Sequence, residues 1–232
     1  MSGTNVKRKA SFLTGVTILI LFSFSCSNTE KESVSETKRE SVEVPISPAK
    51  DDRPVILAFG DSLTEGAGVD PSQNYPFKLQ AKLNTAGYRY RVVNGGISGE
   101  TTSQGLNRVQ TYRALHPVIV IVELGANDGL RGLPVETTHR NLNAIVSQFK
   151  SMGAKVILAG MEVPPNYGRP YTTSFRKIFP SVAEDNKVEL IPFFLEGVGG
   201  HPEFNQDDGI HPTAEGYDII VENIWKILKP VL

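Results

Sequence analysis

Residues 54–69 read PVILAFGDSLTEGAGV, an apolar run that ends in Gly60, Asp61 and Ser62 and is followed by two further glycines. The apolar residues at 54–59 predict a buried strand. In open α/β sheets, ligands bind beyond the carboxyl ends of the strands, and Ser62 falls at such an end. Taken alone, the stretch allows three roles for Ser62: a nucleophile, a phosphate ligand or a helix cap.

The rest of the chain from Pro54 onward repeats this pattern of apolar runs separated by helical segments. A nearly unbroken β-branched run, VIVIVELG, is typical of a central parallel strand. Strand alternating with helix predicts a three-layer α/β fold with a five-stranded parallel sheet, in one domain of residues 54–232. The further predicted strands are 90–94, 118–125, 155–160 and 187–193, and the predicted helices are 75–86, 137–151 and 213–229, the last capped by Thr213.

Composition and charge limit the classes of function. The apolar content of 40% is enough for one sizeable core. The formal net charge of −1 gives no electrostatic reason to expect a nucleic acid partner. Asp208 and His211 could form half of a metal site, but no set of His, Cys or carboxylate residues completes it. The sequence therefore indicates no metal, no cofactor and no protein partner.

Residues 1–26 resemble an export signal. Three basic residues at 7–9 precede the apolar run FLTGVTILILFSF, which is too short to span a bilayer comfortably. Cys26, the single cysteine of the chain, falls where a lipoprotein signal has its acylated residue. We expect lipid attachment at Cys26 and a membrane-anchored protein in the periplasm or at the surface of a bacterial cell. An ordinary cleaved signal and an uncleaved anchor are the alternatives.

Residues 27–53 differ in composition from both neighbouring segments. They mix both charges with Ser and Thr and contain no aromatic residue. Such a segment cannot bury enough apolar surface to offset the entropy lost on ordering. We expect a disordered tether between the anchor and the domain.

Four polar segments follow the predicted strands or return to the same rim of the sheet. They supply what acyl transfer needs: a hydroxyl, a base that takes its proton, an acceptor that orients the base, and donors for an oxyanion. Ser62, His211 and Asp208 fit the first three roles, and Gly99 and Asn127 are candidate donors. The four segments are 60–64, 94–100, 123–129 and 207–212.

These segments resemble the four conserved blocks of the SGNH hydrolases of the GDSL family. The similarity covers nearly all of residues 54–230 and is strongest to the branch with bacterial arylesterases and acyl-CoA thioesterase I/lysophospholipase L1. The matching stretches are GDSLTEGAGV, NGGISGETTSQGLNR, VELGANDGLRGLP, QDDGIHPTAEG and, outside the blocks, PPNYGRPY. Ala126 stands where many relatives have a second glycine, a small departure. The flexible substrate-side loop of the family maps to residues 128–133.

The resemblance implies both a topology and a set of roles. The sheet is expected to be flavodoxin-like with strand order 2-1-3-4-5. Ser62 is expected to be the nucleophile of a triad with His211 and Asp208. The oxyanion hole is expected to consist of the Ser62 N–H, the Gly99 N–H and the Asn127 side chain.

Other roles for these residues have less support in the sequence. The GxSxG elbow of α/β-hydrolases and the Gly-Lys-Ser/Thr ending of a phosphate loop are both absent. Ser98 is read as a turn residue and Asp61 as a structural group that fixes the Ser62 turn. Asp207 could exchange roles with Asp208 through a one-residue shift. His116, His139 and His201 have no Asp at the required spacing.

The sequence thus predicts an exported serine esterase that hydrolyses short-to-medium acyl esters or thioesters, of arylesterase, lysophospholipase or thioesterase type. The predicted partner is a small-molecule acyl ester, thioester or lysophospholipid. A carbohydrate O-deacetylase and a non-catalytic binding lipoprotein on the same scaffold are the alternatives.

Overall fold

A five-stranded parallel sheet forms the centre of the computed structural model, which describes residues 51–232. The strand order is β2-β1-β3-β4-β5, so the predicted fold class and order are confirmed. The expected signal, the lipid attachment at Cys26 and all but the last three residues of the expected tether lie outside the described residues. The strands are β1 Val55–Gly60, β2 Arg91–Gly96, β3 Ile119–Glu123, β4 Lys155–Ala159 and β5 Glu189–Ile191.

The register of the central strands brings their carboxyl ends level. Gly60, the last residue of β1, pairs with Gly96 on one side and with Glu123 on the other. Every residue of β1 and β3 is buried, as expected for apolar strands covered on both faces. Because the three ends are level, the loops that follow them lie along one rim of the sheet.

Helices flank the sheet, and the three that the sequence predicts occur within two residues of the predicted bounds at either end. Thr213 caps the last one by accepting a hydrogen bond from the Gly216 N–H at 3.2 Å. The long helix α6 was not predicted. It contains Pro180, yet it buries a stripe of apolar side chains against the sheet. The helices are α1 Ser62–Glu65, α2 Tyr75–Thr85, α3 Thr102–Arg108, α4 Ala126–Leu130, α5 Val135–Ser151, α6 Arg169–Asn186 and α7 Ala214–Leu228.

Packing around Phe59 fixes the end of β1 that leads to Ser62. The Phe59 ring contacts Phe149 and Tyr112 edge-on, with centroids 5.0 and 5.6 Å away. The guanidinium of Arg108 lies 4.0 Å from the centroid of the same ring and donates to the Gly60 carbonyl at 3.0 Å. Aromatic and cation–π contacts of this kind hold a ring in one orientation.

The first described residues contact the domain. The Arg53 side chain donates to the Asp51 carboxylate at 2.8 Å and to the Tyr90 carbonyl at 3.3 Å. Residues 51–53, assigned to the tether from sequence, therefore lie against the start of β2. Within residues 51–232, no helix has the length and hydropathy needed to span a bilayer.

Lys187 ends α6 in the left-handed region, with φ 53° and ψ 54°, a conformation that disfavours side chains with a Cβ. We predict that Lys187→Gly raises the free energy of unfolding by roughly 0.5–1 kcal/mol in urea denaturation. The control is Lys177→Gly, the same change at an exposed position within α6, which should lower that free energy by about 1 kcal/mol. Destabilisation by both variants would contradict the strain assigned to Lys187.

Candidate active site

Ser62 begins α1, and one residue, Asp61, separates it from the end of β1 at Gly60. The Asp61 side chain accepts a hydrogen bond from the Leu63 N–H at 3.1 Å and so caps this short helix, the structural role that the sequence predicts for it. A Cβ at Gly60 would lie 2.1 Å from the Thr64 Oγ1 atom, so only glycine fits between the sheet and α1. The close approach leaves Ser62 partly exposed at the rim.

A tight loop before α7 presents His211 to Ser62. The His211 Nε2 atom lies 2.9 Å from the Ser62 Oγ atom, and His211 Nδ1 lies 2.6 Å from the Asp208 carboxylate. Gly209 adopts φ 72°, which lets Asp208 and His211 face each other across the turn. The structure thus brings the three residues into one continuous chain of hydrogen bonds.

The Asp208 carboxylate is further held by backbone donors. Its other oxygen accepts from the N–H groups of Ile210 and His211, both at 3.0 Å. Partial burial raises the pKa of this carboxyl, but hydrogen bonds from the His211 ring and from these two N–H groups outweigh it and lower the pKa to about 2. Asp208 is therefore ionised at neutral pH and can stabilise a charged imidazole.

Gln206, which the sequence analysis did not single out, ties this loop to the Ser62 segment. Its side-chain amide donates to the Ala67 carbonyl at 2.8 Å and to the Pro212 carbonyl at 3.0 Å. Its backbone N–H donates to the His211 carbonyl at 2.8 Å. A polar residue two positions before Asp208 gives no sequence signal for this role, because its partners are backbone atoms.

The two candidate oxyanion donors line the same cleft as Ser62 and His211. The Asn127 side-chain amide donates to the Asp61 carboxyl at 3.0 Å, which orients it. Gly99 has φ 76°, and its carbonyl accepts from the Arg131 guanidinium at 2.7 Å. Both segments therefore carry their candidate donors on positions fixed by hydrogen bonds.

Asp128, which follows Asn127, links α4 to α3 and α5 and was not identified from sequence. Its buried carboxylate accepts from the N–H and the hydroxyl of Thr102, at 2.8 and 2.5 Å, and from Thr138 at 3.3 Å. Asn141 donates in turn to the Thr102 hydroxyl at 3.1 Å. This network connects the helix after the Gly99 loop to the helix that carries Asn127.

The cleft beside Ser62 has a volume of about 640 Å³ and a mainly apolar lining. The polar groups at its surface include the Ser62 hydroxyl, the Asn127 amide, the His211 ring and the Glu162 carboxyl. Such a combination of an apolar cavity with a few convergent polar groups is typical of a small-molecule site. The apolar side chains that line it are Leu63, Ala67, Ala126, Leu130, Met161, Val163, Pro164, Pro165, Phe193, Leu195 and Ile210.

The remaining sequence candidates do not take part in the hydrogen bonds that join Ser62, His211 and Asp208. His211 hydrogen-bonds Asp208, so the one-residue shift to Asp207 is not what the structure shows. Ser98 donates to the Glu65 carboxylate from its hydroxyl and its N–H. The Nε2 atom of His139 is near both the Ser181 hydroxyl and the Asp185 carboxylate. A relay from acid to hydroxyl through the ring needs one partner on each ring nitrogen, so His139 does not form one.

The other two histidines are also away from the triad. His116 has φ 45° and ends the turn before β3, and His201 lies 3.6 Å from the Glu203 carboxylate. Among residues 51–232 no group of three or more His, Cys, Asp or Glu side chains is arranged to hold a metal ion.

Comparison with known proteins identifies several similar sequences. The esterase TesA of Pseudomonas aeruginosa is 44% identical over 178 residues, which cover 76% of this chain and 89% of TesA. An arylesterase of Vibrio mimicus is 43% identical over 168 residues, or 72% of this chain and 84% of the relative. Thioesterase 1/protease 1/lysophospholipase L1 of Escherichia coli K12 is 39% identical over 178 residues, or 76% and 84%.

Solved structures show the same fold. A crystal structure of TesA has a TM-score of 0.75 and 44% identity, and the match covers 77% of this chain and 99% of TesA. The psychrotrophic esterase EstA of Pseudoalteromonas sp., inhibited by monoethylphosphonate, has a TM-score of 0.73 and 32% identity, with 76% and 97% covered. Residues 58–219 match the GDSL-like lipase/acylhydrolase family. The chain therefore belongs to the GDSL-like lipase/acylhydrolase family.

Proposed function

We propose that this chain is an exported serine esterase that hydrolyses short-to-medium acyl esters or thioesters through an acyl-enzyme on Ser62. Family membership makes it a carboxylic ester hydrolase. The observation that carries the proposed mechanism is the chain of hydrogen bonds from Asp208 through His211 to Ser62, at the mouth of an apolar cleft.

In the first half-reaction, the Ser62 oxygen attacks the carbonyl carbon of the substrate. His211 accepts the hydroxyl proton at Nε2, since that atom is within hydrogen-bond distance of the Ser62 oxygen. The ionised Asp208 holds Nδ1–H and stabilises the resulting imidazolium.

The tetrahedral intermediate carries a negative oxygen that needs donors placed in advance. We assign this role to the N–H groups of Ser62 and Gly99 and to the Asn127 amide, which share the cleft. The protonated His211 then donates its proton to the leaving alcohol or thiol. In the second half-reaction a water molecule attacks the acyl-enzyme with the same base, and Ser62 is regenerated.

The lining of the cleft supports an acyl chain as the recognised part of the substrate. Apolar side chains gain free energy by removing an alkyl chain from water, whereas a carbohydrate needs hydrogen-bonding partners. The cleft therefore does not favour a carbohydrate O-deacetylase. The relatives are named as an esterase, an arylesterase and a thioesterase/protease/lysophospholipase, and the esterase, thioesterase and lysophospholipase activities agree with this choice.

Export and anchoring are proposed from the sequence of residues 1–26, with Cys26 as the acylated residue. An enzyme held at a membrane outside the cytoplasm would meet lysophospholipids and other lipid or aryl esters rather than acyl-CoA. A Cys26→Ala variant is therefore expected to leave the membrane fraction, and its retention there would contradict the lipid anchor.

Covalent labelling tests the nucleophile. We predict that a fluorophosphonate probe labels the wild-type enzyme. The Ser62→Ala variant should not be labelled, and its kcat should be lower by at least about 10⁴-fold. Ser98→Ala is the matched control, since it removes the neighbouring hydroxyl and should retain labelling. Labelling of Ser62→Ala would show that the nucleophile lies elsewhere.

Adjacent aspartates test the orientation of the base. Asp208→Asn should lower kcat by up to about 10⁴-fold, because the carboxylate that stabilises the imidazolium is lost. Asp207→Asn makes the same change one residue earlier and should leave kcat within about twofold of wild type. Equal losses in the two variants, measured by ester hydrolysis, would contradict the assignment of Asp208.

Chain-length preference tests the substrate class. We predict that kcat/KM for p-nitrophenyl esters rises from acetate to butyrate or octanoate, because longer chains bury more apolar surface in the cleft. Activity confined to acetate would instead support a deacetylase. Activity on none of the esters, from acetate to palmitate, would point to a binding protein.

A further inference from the structure

Two carboxyl groups are fully buried directly behind Ser62. Asp61 precedes the nucleophile, and Glu123 is the last residue of β3, paired with Gly60. No Lys or Arg side chain among residues 51–232 forms an ion pair with either one. The guanidinium of Arg108 binds the Gly60 carbonyl but is paired with Glu100. Two buried charges of the same sign without a cation are strongly unfavourable, so one carboxyl keeps a proton.

The hydrogen bonds of Asp61 fit a carboxylate. One oxygen accepts from the Leu63 N–H at 3.1 Å and the other accepts from the Asn127 amide at 3.0 Å. Both oxygens are therefore occupied as acceptors, one by the helix that starts at Ser62 and one by the proposed oxyanion donor.

The hydrogen bonds of Glu123 fit a protonated acid. Its Oε2 atom accepts from the Thr64 hydroxyl at 2.7 Å and lies 3.4 Å from the Asp61 N–H, as expected of a carbonyl oxygen. Its Oε1 atom is buried and has no donor among the described residues. If Glu123 were ionised, this oxygen would carry negative charge without accepting a hydrogen bond. A proton on the oxygen makes it neutral and a hydrogen-bond donor.

The surroundings of the pair favour the same arrangement. Burial raises the pKa of both carboxyls, and the charge of the neighbouring Asp61 raises the pKa of Glu123 further. The hydrogen bonds that Asp61 accepts from the Leu63 N–H and the Asn127 amide oppose the effect of burial, and the pKa of Asp61 is raised only to about 6. Tyr75 from α2 and Tyr217 from α7 face the pair, and burial raises the pKa of both phenols, so both remain neutral.

We propose that Glu123 is a positioning residue that stays protonated and donates a hydrogen bond to the Asp61 carboxylate, thereby fixing the carboxylate that orients Asn127 and caps the Ser62 helix. The proposal rests on the proposed function, because its consequence is catalytic. A neutral Glu123 also avoids a second negative charge behind the site where the oxyanion forms.

Substitutions at Glu123 separate a neutral donor from a carboxylate. Glu123→Gln retains the shape and an N–H donor in place of the acid proton, so we expect kcat to stay within about threefold of wild type. Glu123→Leu retains the volume but no hydrogen bond, and we expect kcat to fall by about 10–100-fold with little change in KM. The control is Glu184→Gln, the same change at an exposed position of α6, which should alter neither constant.

Two measurements on the folded wild-type protein are independent of activity. The infrared spectrum near neutral pH should contain the C=O stretch of a protonated carboxylic acid, and Glu123→Gln should lack it. The folded state should also hold one more proton than the unfolded state above the ordinary carboxyl pKa, so stability falls as pH rises. Between about pH 6 and 8, each unit of pH should increase the unfolding equilibrium constant of wild type by a factor about ten times larger than the factor for Glu123→Gln.

The outcomes distinguish this proposal from the proposed function. Four results would each overturn the role of Glu123. Two concern Glu123→Gln: a loss of kcat as large as that of Glu123→Leu, or a failure to fold. The other two are a kcat of Glu123→Leu equal to that of wild type, and the absence of the infrared band from wild type. All of these leave wild-type hydrolysis and Ser62 labelling intact. Absence of ester hydrolysis by the wild-type enzyme would instead overturn the proposed function, and the infrared and pH measurements would still decide the protonation of Glu123.

Discussion

The close approach of α1 to the ends of β1 and β2 is the constraint on which the rest of the site depends. A Cβ at Gly96 would lie 2.1 Å from the Glu65 nitrogen, and one at Gly60 would meet Thr64 and Glu123. Because these two positions carry no side chain, the helix can begin directly at the sheet edge. Ser62 is then presented at its first position, with the Asp61 carboxyl turned inward beneath it.

Two kinds of support hold the functional groups around that point. The Ser62, Gly99 and Asn127 segments follow strands whose ends are level, so the sheet sets their spacing. His211 comes instead from a loop before α7, and its position depends on hydrogen bonds such as those of Gln206 to Ala67 and Pro212. The 2.9 Å distance between the His211 ring and the Ser62 hydroxyl thus depends on a few polar contacts across the cleft.

Much of the architecture could be predicted because it is encoded in local patterns. The β-branched runs predict the strands, and the residues after each strand point to one rim of the sheet. Helix α6 was missed because Pro180 interrupts the helical spacing of its apolar residues. Tertiary packing nevertheless stabilises this segment as a helix. The ranges 1–26 and 27–50 lie outside the described residues, so the expected signal and most of the tether remain predictions.

The supporting residues of the site were harder to find than the motif residues. Gln206 binds backbone carbonyls, and Asp128 binds residues far away in sequence, so neither spacing nor residue type indicates these roles. Glu123 is an acidic residue at the end of an apolar strand. Because burial of a charged side chain is unfavourable, the local sequence alone could have identified this position as unusual. Its partner Asp61 could be named only when the register of β1 and β3 placed the two carboxyls together.

The central claim is that catalysis passes through an acyl-enzyme on Ser62. The most direct measurement is mass spectrometry of the wild-type protein, acid-quenched during turnover of p-nitrophenyl octanoate and digested into peptides. We expect the mass of the octanoyl group on Ser62 and on no other residue. Turnover with the acyl group on another side chain, or with no acylated peptide and no burst of p-nitrophenol, would contradict it.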